Sequence, residues 1–84
     1  MKINPDVIFR KEFDGTGLLY NAENGKAFYL NKVSTLICEL LNEGKDRDAV
    51  LEALPSRVNN LPDDIGAVLD AFISQLKEKA IFQD

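Results

Sequence analysis

The order of apolar and polar positions divides the chain into a first part typical of strands and a second part typical of helices. Residues 7–13 (VIFRKEF), 18–21 (LLYN) and 26–30 (KAFYL) are short and rich in β-branched, leucine and aromatic side chains. The intervening segments 14–17 (DGTG) and 22–25 (AENG) carry the glycines that tight hairpins need. We therefore predict a three-stranded antiparallel meander whose first and third strands are its edges.

The first strand alternates imperfectly along its length. Val7, Phe9 and Phe13 fall on one side of it, and Lys11 interrupts that side. Since period-two alternation is typical of a strand with one covered face, we predict a half-buried strand over residues 7–13.

Two short helices are predicted after the strands. Asn31 can accept a hydrogen bond from the first turn of one helix, and Gly44 follows its last apolar residue as a C-cap residue. Asp46 is expected to cap the second, shorter helix, which Pro55 stops. Their apolar positions follow helical spacing and are Val33, Leu36, Ile37, Leu40 and Leu41 in the first, and Ala49, Val50, Ala53 and Leu54 in the second.

A third, longer helix is predicted from about Pro62 to about Lys79, with the proline in the first helical position. Asp63 and Asp64 would complement the positive end of its dipole, and the lysines near its end the negative end. Its core stripe is Ile65, Val68, Leu69, Phe72, Ile73 and Leu76. The apolar pair after the helix, Ile81-Phe82, is expected to fold back onto the core or add a short strand.

Strands followed by helices predict an α+β fold: a three-stranded antiparallel sheet followed by three α-helices packed on one sheet face. With 84 residues, residues 1–84 are expected to form a single domain. A chain of this size buries about 60% of its unfolded surface, which is enough for one modest core. Surface binding is therefore a better expectation than a deep active site.

Charge and composition exclude several classes of function. The net charge is −4 and the basic residues are scattered, which disfavours nucleic acid as a partner. No apolar run approaches the roughly 20 residues that span a bilayer. The first residues lack the apolar region of a signal peptide, and a single cysteine fits a reducing compartment, so we expect a cytoplasmic protein.

Residues suited to catalysis are scarce. The chain has no histidine, which removes the usual general base and the commonest metal ligand. Cys38 stands alone and is expected to be a small, partly buried side chain, since no base or positive neighbour is evident. The glycines lie in hairpin turns instead of a phosphate-binding loop between strand and helix. We predict that the chain is not an enzyme and that it holds no metal or cofactor of its own.

The third strand is the most informative segment. Phe28 and Leu30 point to one face while Ala27 and Tyr29 point to the other, so both faces are partly apolar. Either the C-terminal tail or a loop covers the second face, or that face meets a partner. Proteins usually protect an edge strand with charged residues or proline, but this strand has only Lys26 at its start and no proline. The unprotected edge is therefore either incidental or able to accept an added peptide strand.

Several short motifs together resemble the PqqD-like family, which comprises peptide chaperones that act as recognition elements for ribosomally made precursor peptides. They are Leu19-Tyr20, Gly25-Lys26, Leu30-Asn31 before a helix, the apolar run Leu36-Ile37 to Leu40-Leu41, and a long helix ending in lysine before a short apolar tail. The chain departs from the family at Ile37-Cys38, where an aromatic residue is usual, and at Ala80, where glycine is usual.

The resemblance implies a winged-helix-like domain that binds a leader peptide as an extra strand, in the groove between the third strand and the third helix. It also implies presentation of the precursor to a modifying enzyme, often a radical S-adenosylmethionine protein, in the biosynthesis of a peptide-derived natural product or cofactor. The iron–sulfur cluster and S-adenosylmethionine would then belong to that partner.

Mapped onto this chain, the resemblance implies ten peptide-binding residues. Strand residues would supply backbone hydrogen bonds and side-chain pockets, and these are Lys26, Ala27, Phe28, Tyr29 and Leu30. Helix residues would line the facing flank, with Val68 and Phe72 as apolar floor, Ala71 allowing close approach, and Asp64 and Gln75 selecting polar partners.

Two alternatives remain open at this point. A winged helix can bind DNA, although Asp63 and Asp64 would then lie where a recognition helix approaches phosphates. The chain can also be a structural adaptor or homodimer in which the third strand pairs with its own copy.

Overall fold

A computed structural model describes residues 2–83, in which five strands and three helices are formed. Their order along the chain is β1 (Lys2–Ile3), β2 (Val7–Lys11), β3 (Gly17–Asn21), β4 (Ala27–Leu30), α1 (Lys32–Asn42), α2 (Arg47–Arg57), α3 (Ile65–Glu78) and β5 (Phe82–Gln83). Strands β2, β3 and β4 form an antiparallel sheet in that order. The predicted α+β architecture of a meander followed by three helices is confirmed.

The two chain ends form a second, two-stranded sheet. β1 pairs antiparallel with β5, with Ile3 opposite Phe82. The Asn4 amide donates to the Ile81 carbonyl at 2.7 Å, which extends this connection. Ile81 and Phe82 are only 2% and 1% exposed, so the tail both folds onto the core and adds a strand, as predicted. The partner strand β1 was not predicted, because two residues are too few to show a period.

The inner face of the three-stranded sheet packs against the helices. Val7, Leu19 and Leu30 project from it into the core. The helices contribute most of the other buried side chains, which include Ile37, Leu40, Leu41, Val50, Leu54, Leu69 and Leu76. Within the described residues no helix is long and apolar enough to cross a membrane.

Helix α1 is fixed against the sheet at its first turns. As predicted, Asn31 caps it, since its side-chain oxygen accepts from the Ser34 amide at 2.8 Å. A Cβ atom on Gly17 of β3 would lie 2.7 Å from the Thr35 hydroxyl oxygen, so only glycine allows this close approach. Gly44 lies just beyond the helix with φ +97°, as a C-terminal glycine should.

The prediction that Pro55 ends the second helix is wrong, because α2 continues to Arg57. A proline lacks one amide donor, but near the helix end this removes a single hydrogen bond. The helical hydrogen-bond pattern continues to the end of α2, where the Val58 amide donates to the Leu54 carbonyl at 2.9 Å. Burial of Leu54 keeps this last turn on the core.

The predicted start of the third helix at Pro62 is also wrong. Residues 62–64 form a turn in which the Ile65 amide donates to the Pro62 carbonyl at 3.1 Å, and α3 begins at Ile65. Asp64 occupies the N-cap position with φ −96° and ψ 27°, and its side chain makes no capping hydrogen bond. The acidic pair therefore precedes the helix, and Pro62 lies outside it.

Phe13 does not share the buried face of the first strand. β2 ends at Lys11, and the chain then reverses through a turn in which the Glu12 amide donates to the Thr16 carbonyl at 2.7 Å. This places Phe13 at the hairpin tip with its side chain fully exposed. The predicted strand over residues 7–13 therefore ends two residues early, and Phe13 lies in the turn instead of on the buried face.

Helix α3 is held beside α2 by an ion pair as well as by apolar packing. The Arg47 guanidinium donates from Nε and Nη2 to the two carboxylate oxygens of Asp70, at 2.8 and 3.1 Å. The hydrogen bonds and charge of Arg47 hold the pKa of Asp70 below its ordinary value. Both side chains are largely exposed, so the pair orients the helices more than it stabilises them.

The reversal after α3 generates a test of stability. Ala80 adopts φ +57°, and the amides of Ala80 and Ile81 donate to the carbonyls of Lys77 and Leu76 in a Schellman arrangement. A left-handed conformation costs a non-glycine residue about 1–2 kcal/mol, partly offset by the greater flexibility of unfolded glycine. We expect Ala80→Gly to raise the free energy of unfolding by about 0.5–1 kcal/mol in urea titrations.

Gly44 offers the matched control at the same position of α1. Nothing lies within 4 Å of a Cβ built on Gly44, so Gly44→Ala isolates the backbone strain. This variant should lower the free energy of unfolding. An Ala80→Gly protein no more stable than the parent would contradict the explanation.

Candidate functional site

A cleft of about 140 Å³ separates β4 from the C-terminal half of α3. Its walls are mainly apolar, with one amide and one ammonium group at the rim. The lining residues are Leu19, Phe28, Tyr29, Leu30, Phe72, Gln75, Leu76, Lys79 and Ile81.

One wall of the cleft is an open strand edge. β4 is last in the sheet order, and no other strand within residues 2–83 pairs with its outer side. The Asn21 amide donates to the Lys26 carbonyl at 2.8 Å, so these opposite residues form a hydrogen-bonded pair. Antiparallel pairs alternate between bonded and non-bonded, so Phe28 and Leu30 bond to β3. The N–H and C=O groups of Ala27 and Tyr29 therefore point outward.

The two faces of β4 differ in what covers them. Phe28 is partly buried and Leu30 almost fully buried on the inner face. Tyr29 is 86% exposed on the outer face, and across the sheet Tyr20 and Ile8 are 38% and 56% exposed. The tail pairs with β1 instead of covering this face. In the part of the chain that the structure describes, the apolar outer face is left uncovered.

The structure brings together half of the residues predicted to bind a peptide. Phe28, Tyr29, Leu30, Phe72 and Gln75 all line the cleft. Lys26 lines an adjoining cavity, and Ala27 lies on the exposed strand edge.

The other three predicted residues lie further along α3. Asp64, Val68 and Ala71 are exposed, but they do not line the cleft. At a rise of about 1.5 Å per residue, Asp64 is roughly 12 Å along the helix axis from Phe72. A peptide that reached Asp64 would have to extend well beyond the cleft.

Lys79 is a cleft residue that the sequence did not indicate. Its ammonium nitrogen lies 4.9 Å from the centroid of the Phe28 ring, within the range of a cation–π contact. Residues 28 and 79 are distant in sequence, so no local pattern relates them. The sequence also did not indicate that the core residues Leu19, Leu76 and Ile81 line the cleft.

A larger concavity of about 430 Å³ lies elsewhere and shares no lining residue with the cleft. The β2–β3 hairpin, α1 and the end of α2 form it, and Lys11, Lys32 and Arg57 are among its lining residues. Lys11, the last residue of β2, is the only strand residue there. This concavity therefore has no continuous row of backbone groups to pair with a peptide.

The thiol of Cys38 does not line the cleft. Cys38 is fully buried in α1 instead of partly buried as predicted, and burial raises the pKa of its thiol to about 12. Within residues 2–83, no group of three or more His, Cys, Asp or Glu side chains is placed to hold a metal ion. The cleft itself offers backbone groups, apolar surface, an amide and an ammonium, which suit binding.

Comparisons with known proteins agree with this geometry. A family model described as "Coenzyme PQQ synthesis protein D (PqqD)" matches residues 17–81, which include both walls of the cleft. The structure of TbiB1 in complex with the TbiA(beta) leader peptide is 25% identical in sequence, with a TM-score of 0.83 over 100% of both chains. That of a lasso peptide synthetase B1 complexed with the leader peptide is 22% identical, with a TM-score of 0.82 over 99% of this chain and 96% of that one. No curated protein matches the chain.

The raised pKa of Cys38 predicts how stability depends on pH. Between the unfolded value near 9 and the folded value of about 12, the folded state holds the thiol proton more tightly. The unfolded state then binds fewer protons, so this residue's contribution to stability falls as pH rises above about 9. Urea unfolding of the parent and of Cys38→Ala at pH 8 and pH 10 should show a smaller difference at pH 10. An unchanged difference would contradict the buried neutral thiol.

Proposed function

The chain belongs to the PqqD family, and from this premise we propose that it binds the leader segment of a ribosomally made precursor peptide as an added strand beside β4. It then presents the precursor to a modifying enzyme in the biosynthesis of a peptide-derived natural product or cofactor. The observation that carries this proposal is the open β4 edge next to an apolar cleft.

The size of the edge sets what backbone pairing can contribute. Ala27 and Tyr29 offer four outward groups, and each hydrogen bond is worth about 0.5–1.5 kcal/mol net. A total of about 2–6 kcal/mol falls short of the roughly 8 kcal/mol that micromolar affinity represents. Burying one large apolar side chain adds about 1.5–3 kcal/mol. The cleft is therefore needed as well as the edge.

The residues on α3 would act on the peptide's side chains. Phe72, partly buried, provides apolar floor, and the exposed Val68 extends it along the helix. Ala71 allows the peptide to approach closely, while Asp64 and Gln75 offer polar partners on the same flank. A longer peptide could reach the four exposed residues of this set, which are Asp64, Val68, Ala71 and Gln75.

The related structures support leader-peptide binding by this fold. Each of the two similar proteins is described as a complex with a leader peptide, and each shares the fold with a TM-score above 0.8. The family match covers both β4 and α3. The fold that this chain adopts is thus one that holds leader peptides in other proteins.

We propose that the chain contributes no catalytic step of its own. The absence of histidine and the buried, protonated Cys38 support this. The chemistry would come from the modifying enzyme, for which a radical S-adenosylmethionine protein is our candidate, and that enzyme would hold the iron–sulfur cluster and S-adenosylmethionine. We place the binding in the cytoplasm, where ribosomally made peptides first appear.

Neither alternative function is favoured by a specific contact. The exposed acidic residues Asp63 and Asp64 precede α3, where a DNA-binding helix would meet phosphates. The β4 edge can pair with a second copy, but a peptide would compete for the same backbone groups. Light scattering with and without peptide distinguishes self-pairing from peptide binding.

Strand addition predicts the effect of proline at Tyr29. This substitution removes an outward N–H and places a ring at the edge, without breaking a bond to β3. We expect at least 10-fold weaker binding of candidate precursor peptides encoded near this gene, measured by fluorescence anisotropy.

Lys11→Pro is the matched control. Lys11 belongs to β2 and lies opposite Gly17 of β3. The alternation of bonded and non-bonded pairs directs the Lys11 N–H away from β3, at the edge of the sheet opposite β4. This variant should bind peptide normally. Equal affinities for the parent and a folded Tyr29→Pro variant would rule out strand addition at β4.

A further inference from the structure

The space beside β4 consists of two compartments that differ in chemistry. The first is the cleft of about 140 Å³ described above, whose lining is mainly apolar and includes Leu30. The second is a cavity of about 200 Å³ lined by Asn21, Asn24, Lys26, Phe28 and Lys79. Phe28 and Lys79 line both, so the stacked ring and ammonium form the boundary between them.

The second compartment presents mainly hydrogen-bond donors. The side-chain oxygen of Asn21 already accepts from the Glu23 amide at 2.9 Å, and that of Asn24 accepts from the Lys26 amide at 2.9 Å. The amide NH₂ groups of both asparagines are therefore left to donate. The ammonium groups of Lys26 and Lys79 also belong to this lining.

Neither lysine of this compartment forms an ion pair with a carboxylate of the described residues. Within residues 2–83, the ion pairs formed involve other cations, and neither Lys26 nor Lys79 has a carboxylate partner. A local pair of positive charges in a chain of net charge −4 is complementary to a carboxylate. Such an anion can accept from ammonium and amide groups together.

The strand geometry relates the two compartments. Lys26, Phe28 and Leu30 share the inner face because side chains alternate along a strand. The donor-rich compartment lies beside Lys26 and Phe28, and the apolar cleft beside Phe28 and Leu30. Consecutive inward side chains of an added strand are two residues and about 6.8 Å apart, so they would face one compartment each.

We propose that the leader peptide carries an aspartate or glutamate two residues from a large apolar residue. The carboxylate occupies the compartment of Lys26 and Lys79, and the apolar side chain occupies the cleft. This inference rests on the proposed function and specifies the peptide class. The order of the two residues in the peptide reports the direction of the added strand. The acidic residue precedes the apolar one if the strand runs parallel to β4, and the apolar residue precedes the acidic one if the strand runs antiparallel.

A selection experiment with the full chain tests the motif without knowledge of the natural peptide. A library of random 12-residue peptides, made by mRNA display, is selected on the immobilised protein. We expect enrichment of Asp or Glu two positions from Leu, Ile, Met or Phe. In an enriched peptide, changing the acid to its amide should weaken binding to the parent about 5-fold, as expected for a partly screened ion pair.

Variants at Lys79 show whether the 5-fold loss of affinity arises in the compartment lined by Lys26 and Lys79. With Lys79→Gln, the same change in the peptide should weaken binding clearly less than 5-fold, because one of the two partner charges is gone and only Lys26 remains. Lys79→Arg should restore most of the 5-fold effect. Lys32→Gln removes one positive charge from the separate concavity and should leave the 5-fold effect intact.

The outcomes separate failure of the motif from failure of the proposed function. Enriched peptides without an acid at this spacing, or an equal loss with the parent and Lys79→Gln, would overturn the motif alone. If no selected peptide shifts the backbone amide resonances of Ala27 and Tyr29, the β4 binding site and the motif both fail.

Discussion

The reversal of the chain at the end of α3 determines both the tail's position and the site's form. Ala80 takes a left-handed conformation, which turns Ile81 back toward the Leu76 carbonyl. From there Ile81 and Phe82 enter the core, and β5 pairs with β1. A tail directed along β4 would have filled the cleft and satisfied the edge. The chain reversal at the end of α3 therefore leaves the β4 edge unpaired within residues 2–83, while Ile81 and Phe82 complete the core.

An open edge is a liability for a small protein, since it can pair with any extended chain. Here β4 has only four residues, and Ala27 and Tyr29 present its outward groups. Lys26 stands at one end, and Lys79 lies over Phe28 beside the same edge. Charge next to a short edge discourages long apolar strands while it admits a peptide of complementary charge. Protection and selectivity can thus come from the same side chains.

Local patterns were sufficient to predict most elements, because their signals lie within a few residues. Asn31 and Gly44 marked the ends of α1, and the glycines in residues 14–25 marked the two hairpins. Prolines were less reliable: Pro55 lies inside α2 and Pro62 before α3, since tertiary packing decides whether one missing donor ends a helix. β1 was missed because its only partner lies at the other end of the chain.

The site was predictable to a smaller extent, for a related reason. Alternation placed Phe28 and Leu30 on one face, and family resemblance placed α3 opposite them. The position of α3 along β4 depends on long-range contacts such as that between Arg47 and Asp70, which no pattern encodes. The sequence therefore does not indicate that Lys79 lines the cleft or that Asp64 does not.

Affinity and specificity are divided between different parts of this surface. In the proposed complex, the backbone groups of β4 would pair with any extended peptide, so they would contribute binding energy without selecting its sequence. Discrimination between peptide sequences has to come from side chains that bind one peptide residue more tightly than another. An apolar residue in the donor-rich compartment would leave two ammonium and two amide groups poorly solvated, while an acid in the apolar cleft would lose its own solvation. A one-residue slip turns the inward side chains outward, and a two-residue slip puts at least one of the pair beside the wrong compartment. If a peptide binds beside β4 as proposed, its register would therefore follow from the order of the donor-rich and apolar compartments along the strand.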